Sequence, residues 1–223
     1  MRSIQLFSYF FLMLLMASFN ALADAVVDDF EGLTNQDKFL YYWYFYDDHK
    51  DGGNSTIPGV TKDAAGDFIV APAAGIGHTG AGLTLPYSLG PIKAGTGSGY
   101  NSIGCGAMLC AEGKSIDLTA ATKITFWLKA SAAIGVDFNL VTTDVTDYAY
   151  WHNVCQATTA WTQFTVTLAS TGLGALSQPT WGVKATWATS ISKVGKLQWQ
   201  LHSDNVGTAT TGSITLDDIV ITG

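Results

Sequence analysis

The sequence predicts an all-β fold, a jelly-roll sandwich of two antiparallel sheets, and three observations carry that expectation. Short runs of Val, Ile, Thr and aromatic residues recur along the chain, each closed by Gly, Asn, Asp or Pro. From Asp24 onward no stretch has convincing helical periodicity. Apolar residues make up 48% of 223 residues, enough to bury a core, and no linker or internal repeat divides the chain.

The first 23 residues read as a secretory signal outside that fold. Arg2 supplies a positive start, residues 4–17 are mostly Phe, Leu and Met, and Ala21-Leu22-Ala23 forms an A-x-A cleavage site. The apolar run is short for a membrane span, which needs roughly 20 residues. No cysteine follows it to carry a lipid anchor. The expectation is cleavage near Ala23, export to the extracellular space or periplasm, and one sandwich domain over residues 24–223.

Within that domain, residues 41–48 (Tyr-Tyr-Trp-Tyr-Phe-Tyr-Asp-Asp) form an aromatic strand. Alternation puts Trp43 and Phe45 on a core face and Tyr42, Tyr44 and Tyr46 on the other, where hydroxyls can stay wet. Residues 75–106 carry too many glycines for a helix and read as loops and edge strands. Residues 123–129, 136–141, 162–168, 197–202 and 214–221 are further strands. In 197–202, Leu197, Trp199 and Leu201 share one face, which favours the core, and Gln198, Gln200 and His202 share the other. Ala120, Ala121, Ala132 and Ala133 lie too close to these strands to form a helix. Trp161, at the start of its strand, reads as core.

Charge excludes whole classes of function. The chain has 11 Lys+Arg against 18 Asp+Glu, and its one arginine is Arg2. Without the signal, 10 cations minus 18 anions leave -8 and no guanidinium. Such a chain suits neither a nucleic-acid backbone nor an anionic membrane surface. Cys105, Cys110 and Cys155 cannot all pair internally, so at most one bridge forms and its partners stay open. No C-x-x-C pair or nearby His completes a tetrahedral metal site. His152 close to Cys155 in sequence is weak support for a catalytic thiol, and the cysteines read as buried or bridged.

Three constellations bear on function. The acidic ends, residues 27–32 and 216–219, would converge on one hard cation if the first and last strands are neighbours; calcium takes six to eight oxygens. The tyrosine face of the aromatic strand suits a sugar ring, whose apolar C–H patches are framed by hydroxyls. Residues 144–153 combine Asp147, Tyr148, Tyr150, Trp151, His152 and Asn153, the mix of rings and polar groups that orients a neutral polyhydroxylated ligand.

Asp28-Asp29-Phe30-Glu31-Gly32, residues 43–47, Gly99-Tyr100, residues 147–161 and Leu216-Asp217-Asp218-Ile219 occur in this order. Together they resemble the carbohydrate-binding modules of family 11 and related jelly-roll, galactose-binding-like modules. The resemblance implies two antiparallel sheets, calcium near the termini, and a concave cleft that binds β-glucan without catalysis. It implies Glu31 and Asp217, with Asp29 beside them, at the calcium site, and Tyr46, Tyr100 and Asp147 in the cleft. Composition adds Tyr44, Tyr150, Trp151, His152 and His202. The sequence departs from the family at residues 176–181, and at Leu201, where the family has a cleft tyrosine.

Two other classes compete. An exported adhesion sandwich would turn its aromatic strand to a protein partner, since Tyr and Trp are enriched at interfaces. A jelly-roll polysaccharide-degrading enzyme would need paired carboxylates or a cation to neutralise an acidic substrate. The domain has only Glu31 and Glu112 as glutamates, no arginine and no G-x-S-x-G elbow.

Overall fold

The computed structural model describes residues 24–90, 101–202 and 210–223. The expected signal peptide and Tyr100 therefore lie outside the described residues. Strands β1 (Ala25–Asp28), β2 (Trp43–Asp47), β3 (Ala73–Ala74), β4 (Ala81–Ser88) and β5 (Ser102–Met108) come first. They are followed by β6 (Lys123–Ala130), β7 (Ile134–Thr142), β8 (Trp151–Ala157) and β9 (Thr162–Thr167). One helical turn, α1 (Trp187–Ser190), precedes β10 (Val194–His202) and β11 (Thr211–Thr222).

The strands make two antiparallel sheets. One runs β3-β4-β11-β6-β9, with β1 also paired to β11; the other runs β2-β5-β10-β7-β8. The first and last strands are neighbours, with Ala25 opposite Ile221 and Val26 opposite Val220. Period-two sequence explains the layering. In β6, Ile124, Phe126, Leu128 and Ala130 face inward while Lys123, Thr125, Trp127 and Lys129 face out. In β10, Leu197, Trp199 and Leu201 are wholly buried and Gln198, Gln200 and His202 alternate with them.

The core is aromatic where the sheets meet. Trp199 packs edge-on to Phe126 (5.2 Å) and Phe138 (5.4 Å) and stacks on Trp43 (5.8 Å), which meets Phe30 at 5.1 Å. Each such ring removed from water contributes roughly 2–3 kcal/mol. The Trp43 indole N–H donates to Asp28 Oδ2 at 2.7 Å, so the buried polar atom of the largest β2 side chain is satisfied by β1.

Two expectations change, one on the glycine-rich segment and one on Trp161. The glycine-rich segment contains the interior strands β4 and β5, where edge strands were expected. Gly104 and Gly106 are tolerated inside β5 because tyrosine rings from β2 fill the space their side chains would occupy. Trp161 is half-buried on the outer face of the six-stranded sheet, with the Lys129 ammonium 4.7 Å from its ring centre, and does not enter the core. The cysteines are all buried and all free. Burial pushes the Cys155 thiol up to about 12, the reverse of what a nucleophile needs. His152 faces out from β8 while Cys155 faces in, so the two do not form a thiol–imidazole pair.

Candidate functional site

The outward face of the five-stranded sheet is built by register. Tyr46, Gly104, Gln200, Asp137 and Val154 lie opposite one another across β2, β5, β10, β7 and β8. The neighbouring row is Tyr44, Gly106, Gln198, Asn139 and His152. At about 4.8 Å per strand, each row spans about 19 Å. Rings stand at one end, amides in the middle and an acid with imidazoles at the other.

The two tyrosine rings lie over β5. A methyl group at Gly104 would collide with the Tyr46 ring and hydroxyl, and one at Gly106 with those of Tyr44. The rings are 6.2 Å apart at 35°, close to a shared platform. Gln198 fixes them from β10: its Oε1 accepts from the Tyr44 hydroxyl at 3.2 Å and its Nε2 donates to the Tyr46 hydroxyl. Burial pushes both phenols above the usual tyrosine range, so both stay protonated. The Lys196 ammonium approaches the Tyr44 ring at 5.4 Å and pairs with Glu112 at 3.4 Å, closing that end of the face.

Beyond the rings, Asn139 Nδ2 donates to Gln200 Oε1 at 3.4 Å. Asp137 sits between two imidazoles: Oδ1 is 3.3 Å from His152 Nδ1, and Oδ2 is 3.5 Å from His202 Nε2. Donors and acceptors thus bond sideways to each other within the face, with Asp137 and Asn139 buried and Gln198 and Gln200 half-buried. That pattern can receive hydroxyls, which donate and accept at once.

The structure brings Tyr44, Tyr46, His152 and His202 to one face. It does not bring all the expected residues there. Trp151 turns inward, nine-tenths buried and edge-on to Trp187 at 5.1 Å, because its parity along β8 is that of Cys155. Asp147 works as a staple between loops: Oδ2 accepts from Val183 N at 2.6 Å and Oδ1 from Ala149 N at 3.2 Å. The Val183 bond leads in holding its carboxyl below the usual range. Tyr150, by contrast, is half-buried beside Tyr148 at 6.1 Å and close enough to Tyr44 and Tyr46 to act on their phenols, and burial pushes its own phenol up. Sequence reading missed Asp137 and Asn139. Their signal was the pair of polar residues at 137 and 139, interrupting an otherwise apolar strand.

The acidic ends meet on the opposite sheet, under residues 77–81. Glu31 Oε1 accepts from Ala81 N at 2.7 Å, and the wholly buried Asp217 accepts from Thr79 N at 3.0 Å. A β-bulge between Asp217 and Val220, with Asp218 at φ 47°, turns the two aspartates to one side. Burial, then the neighbouring Asp218 charge, pushes the Asp217 carboxyl up against the pull of Thr79 N–H. Asp29 instead pairs with Lys38 at 2.8 Å, which holds it below the usual range against the upward push of partial burial. Among the described residues no three His, Cys, Asp or Glu side chains are grouped closely enough to hold a metal ion. The donors still fit a hard cation in kind: two carboxylates on one glycine-bearing loop, whose carbonyls would have to complete the shell. On the same outer surface the His78 ring stacks on Trp127 at 3.6 Å and meets the edge of Trp161 at 6.0 Å.

No protein-family model matches the sequence, and neither does any curated protein sequence. Solved structures do share the fold. A family 11 carbohydrate-binding module from Clostridium thermocellum, in complex with a β-1,3-1,4-mixed-linked tetrasaccharide, superposes with a TM-score of 0.52 at 17% identity. That match covers 92% of this chain and 98% of the other. The family 30 carbohydrate-binding module of the cellulosomal cellulase CEL9D-CEL44B from the same organism gives a TM-score of 0.50 at 13% identity. It covers 91% of this chain and 98% of its own. At such identities the likeness is one of fold.

Proposed function

We propose that this chain is an exported, non-catalytic carbohydrate-binding module that takes a β-glucan chain across the outward face of its five-stranded sheet. The observation that carries the reading is the pair of tyrosine rings laid over Gly104 and Gly106 beside a band of amides. Rings give sugar C–H faces an apolar surface, and Gln198, Gln200 and Asn139 give hydroxyls directional partners. The family 11 neighbour, with the same fold, is a structure in complex with a mixed-linkage tetrasaccharide, which favours that ligand class. In the two rows that make up the face, Asp137 is the one carboxylate, which does not supply the flanking pair that glycoside hydrolysis uses.

Glu31 and Asp217 hold a structural calcium in this reading, supported by their approach to one loop next to the paired terminal strands. Export rests on the sequence of residues 1–23. Among the described residues no helix is long and apolar enough to cross a membrane.

Affinity electrophoresis against soluble glucans tests the ligand. The reading expects retardation by mixed-linkage or β-1,4-glucan and none for the double variant Tyr44→Ala, Tyr46→Ala at unchanged circular dichroism. Retardation by no glucan, with a thermal shift on a protein partner, would favour the adhesion class. Release of reducing ends or unsaturated sugars would favour an enzyme.

A further inference from the structure

Beyond its two rows, the outward face continues by one more step along the strands. Lys196 lies opposite Met108 on β5 and opposite Val141 on β7, each two positions from the row of Gly106, Gln198 and Asn139. These three residues line a pocket of about 290 Å³. We propose that this pocket takes a single-sugar branch of a decorated β-glucan whose main chain lies over the tyrosines. The proposal rests on the reading of the face as a glycan site.

Position and size favour a branch over another main-chain unit. The rows run across the strands, whereas the pocket is displaced along them by two residues, about 7 Å. A linear chain following a row passes beside the pocket, and a substituent on the sugar over Tyr44 reaches into it. Lys196 stands at the boundary: it lines the pocket, and its ammonium lies 5.4 Å from the Tyr44 ring centre. The volume falls at the lower end of ligand pockets, about 300–1,000 Å³, which suits one sugar unit and not a run of them.

Both walls are fixed by backbone bonds to β10. On one side Leu109 N donates to Gly195 O at 2.9 Å, and the chain then turns, with Lys114 N donating to Ala111 O at 2.9 Å and Gly113 at φ 71°. That turn rests against β10, since a methyl group at Gly195 would come within 3.3 Å of Lys114 O. On the other side Thr143 N donates to Lys193 O at 2.9 Å. The pocket is therefore formed before a ligand arrives, which spares the cost of ordering it.

Its lining has the chemistry of a sugar subsite. Met108, Val141 and Ala111 offer apolar surface to C–H groups. The Lys196 ammonium only donates and the Glu112 carboxylate only accepts, so together they can bond hydroxyls in both directions. Their own contact, 3.4 Å with Glu112 74% exposed, is long and open to water, and such a pair contributes little by itself. Both groups can thus turn to a ligand at small cost, and bonds from charged groups to hydroxyls are the stronger kind.

Isothermal titration of the full domain with two neutral probes tests this: a β-1,4-glucan tetrasaccharide, and the same backbone carrying single α-1,6-linked xylose branches. The native domain should bind the branched probe about tenfold more tightly, which corresponds to about 1.4 kcal/mol. Ala111→Phe and Thr143→Phe fill the pocket from opposite walls at exposed positions. Each should bring the ratio of the two affinities to within about twofold of unity and leave the affinity for the linear probe within about twofold of native. Lys196→Met should lower the same ratio, and it reads the proposal independently if a Phe variant fails to fold. A branched probe bound no more tightly than the linear one by the native domain overturns the inference and leaves the glycan reading intact. So does a preference that survives in the filled pockets or without the ammonium. Binding of neither probe overturns the inference as well, and if mixed-linkage glucan is also unbound, the glycan reading falls with it.

Discussion

The two outer faces of the sandwich are made of similar residues and put them to different use. On the five-stranded sheet, tyrosines lie over glycines, and amides bond sideways to tyrosines and to each other. On the six-stranded sheet, the residues 77–81 lie across the face. Asp217 is wholly buried beneath them, and His78 covers the Trp127 ring. Rings alone therefore do not make a binding face. Trp127 has spent its flat surface on His78, whereas Tyr44 and Tyr46 rest on glycine.

The most direct way to break this contrast is to remove rings from each face in turn. Tyr44→Ala with Tyr46→Ala should weaken glucan binding by about a hundredfold or more, while Trp161→Ala should leave it within about twofold, since stacking contributes roughly 0.5–1.5 kcal/mol per ring beyond its area. Equal losses from both would mean that both faces bind. Gly104→Ala tests the platform more finely. The added methyl must displace the Tyr46 ring, and a roughly tenfold loss of affinity with a melting temperature lowered by only a few degrees is expected. An unchanged affinity would show that the flat placement does not matter.

The six-stranded face should answer to metal and not to sugar. Chelation, or Asp217→Ala, should lower the melting temperature by several degrees, about 1–3 kcal/mol, because it frees the loop bonded through Thr79. Glucan affinity should hardly change in the domain that remains folded. No shift with chelator would remove the calcium proposal, while the Asp217 variant would still report on the loop.

A separate effect is expected at Asp37, away from both faces. Its Oδ1 accepts from Phe39 N and Tyr41 N, and burial pushes its carboxyl from 3.8 up to about 6. The native state then holds a proton that the unfolded chain has already released, so its stabilising contribution is full below about pH 4 and is lost as pH rises through about 6. Asp37→Asn should raise the melting temperature at neutral pH by an amount worth about 1–3 kcal/mol and change it little near pH 4. A pH-independent difference would contradict the assignment.

Much of this was legible in the sequence. Alternation placed Trp43, Phe45, Leu197, Trp199 and Leu201 in the core and Tyr44, Tyr46, Gln198, Gln200 and His202 on the other side, because period-two patterning is local. What escaped depends on contacts between distant strands. Glycines in β5 read as an edge until the β2 rings were seen to fill their places. Trp151 read as a ligand contact because its neighbours are polar, yet one step of parity turns it inward. Asp137 looked like an interruption in a strand, and only the pairing of β7 with both β8 and β10 gives it two histidines.

The central claim is that the five-stranded face is where glycan binds, and nuclear magnetic resonance can test it residue by residue. Titrating the domain with a mixed-linkage glucan oligosaccharide should move the side-chain amide signals of Asn139, Gln198 and Gln200, and leave the indole signals of Trp127 and Trp161 in place. Shifts confined to Trp127, Trp161 and the 77–81 loop would contradict the account.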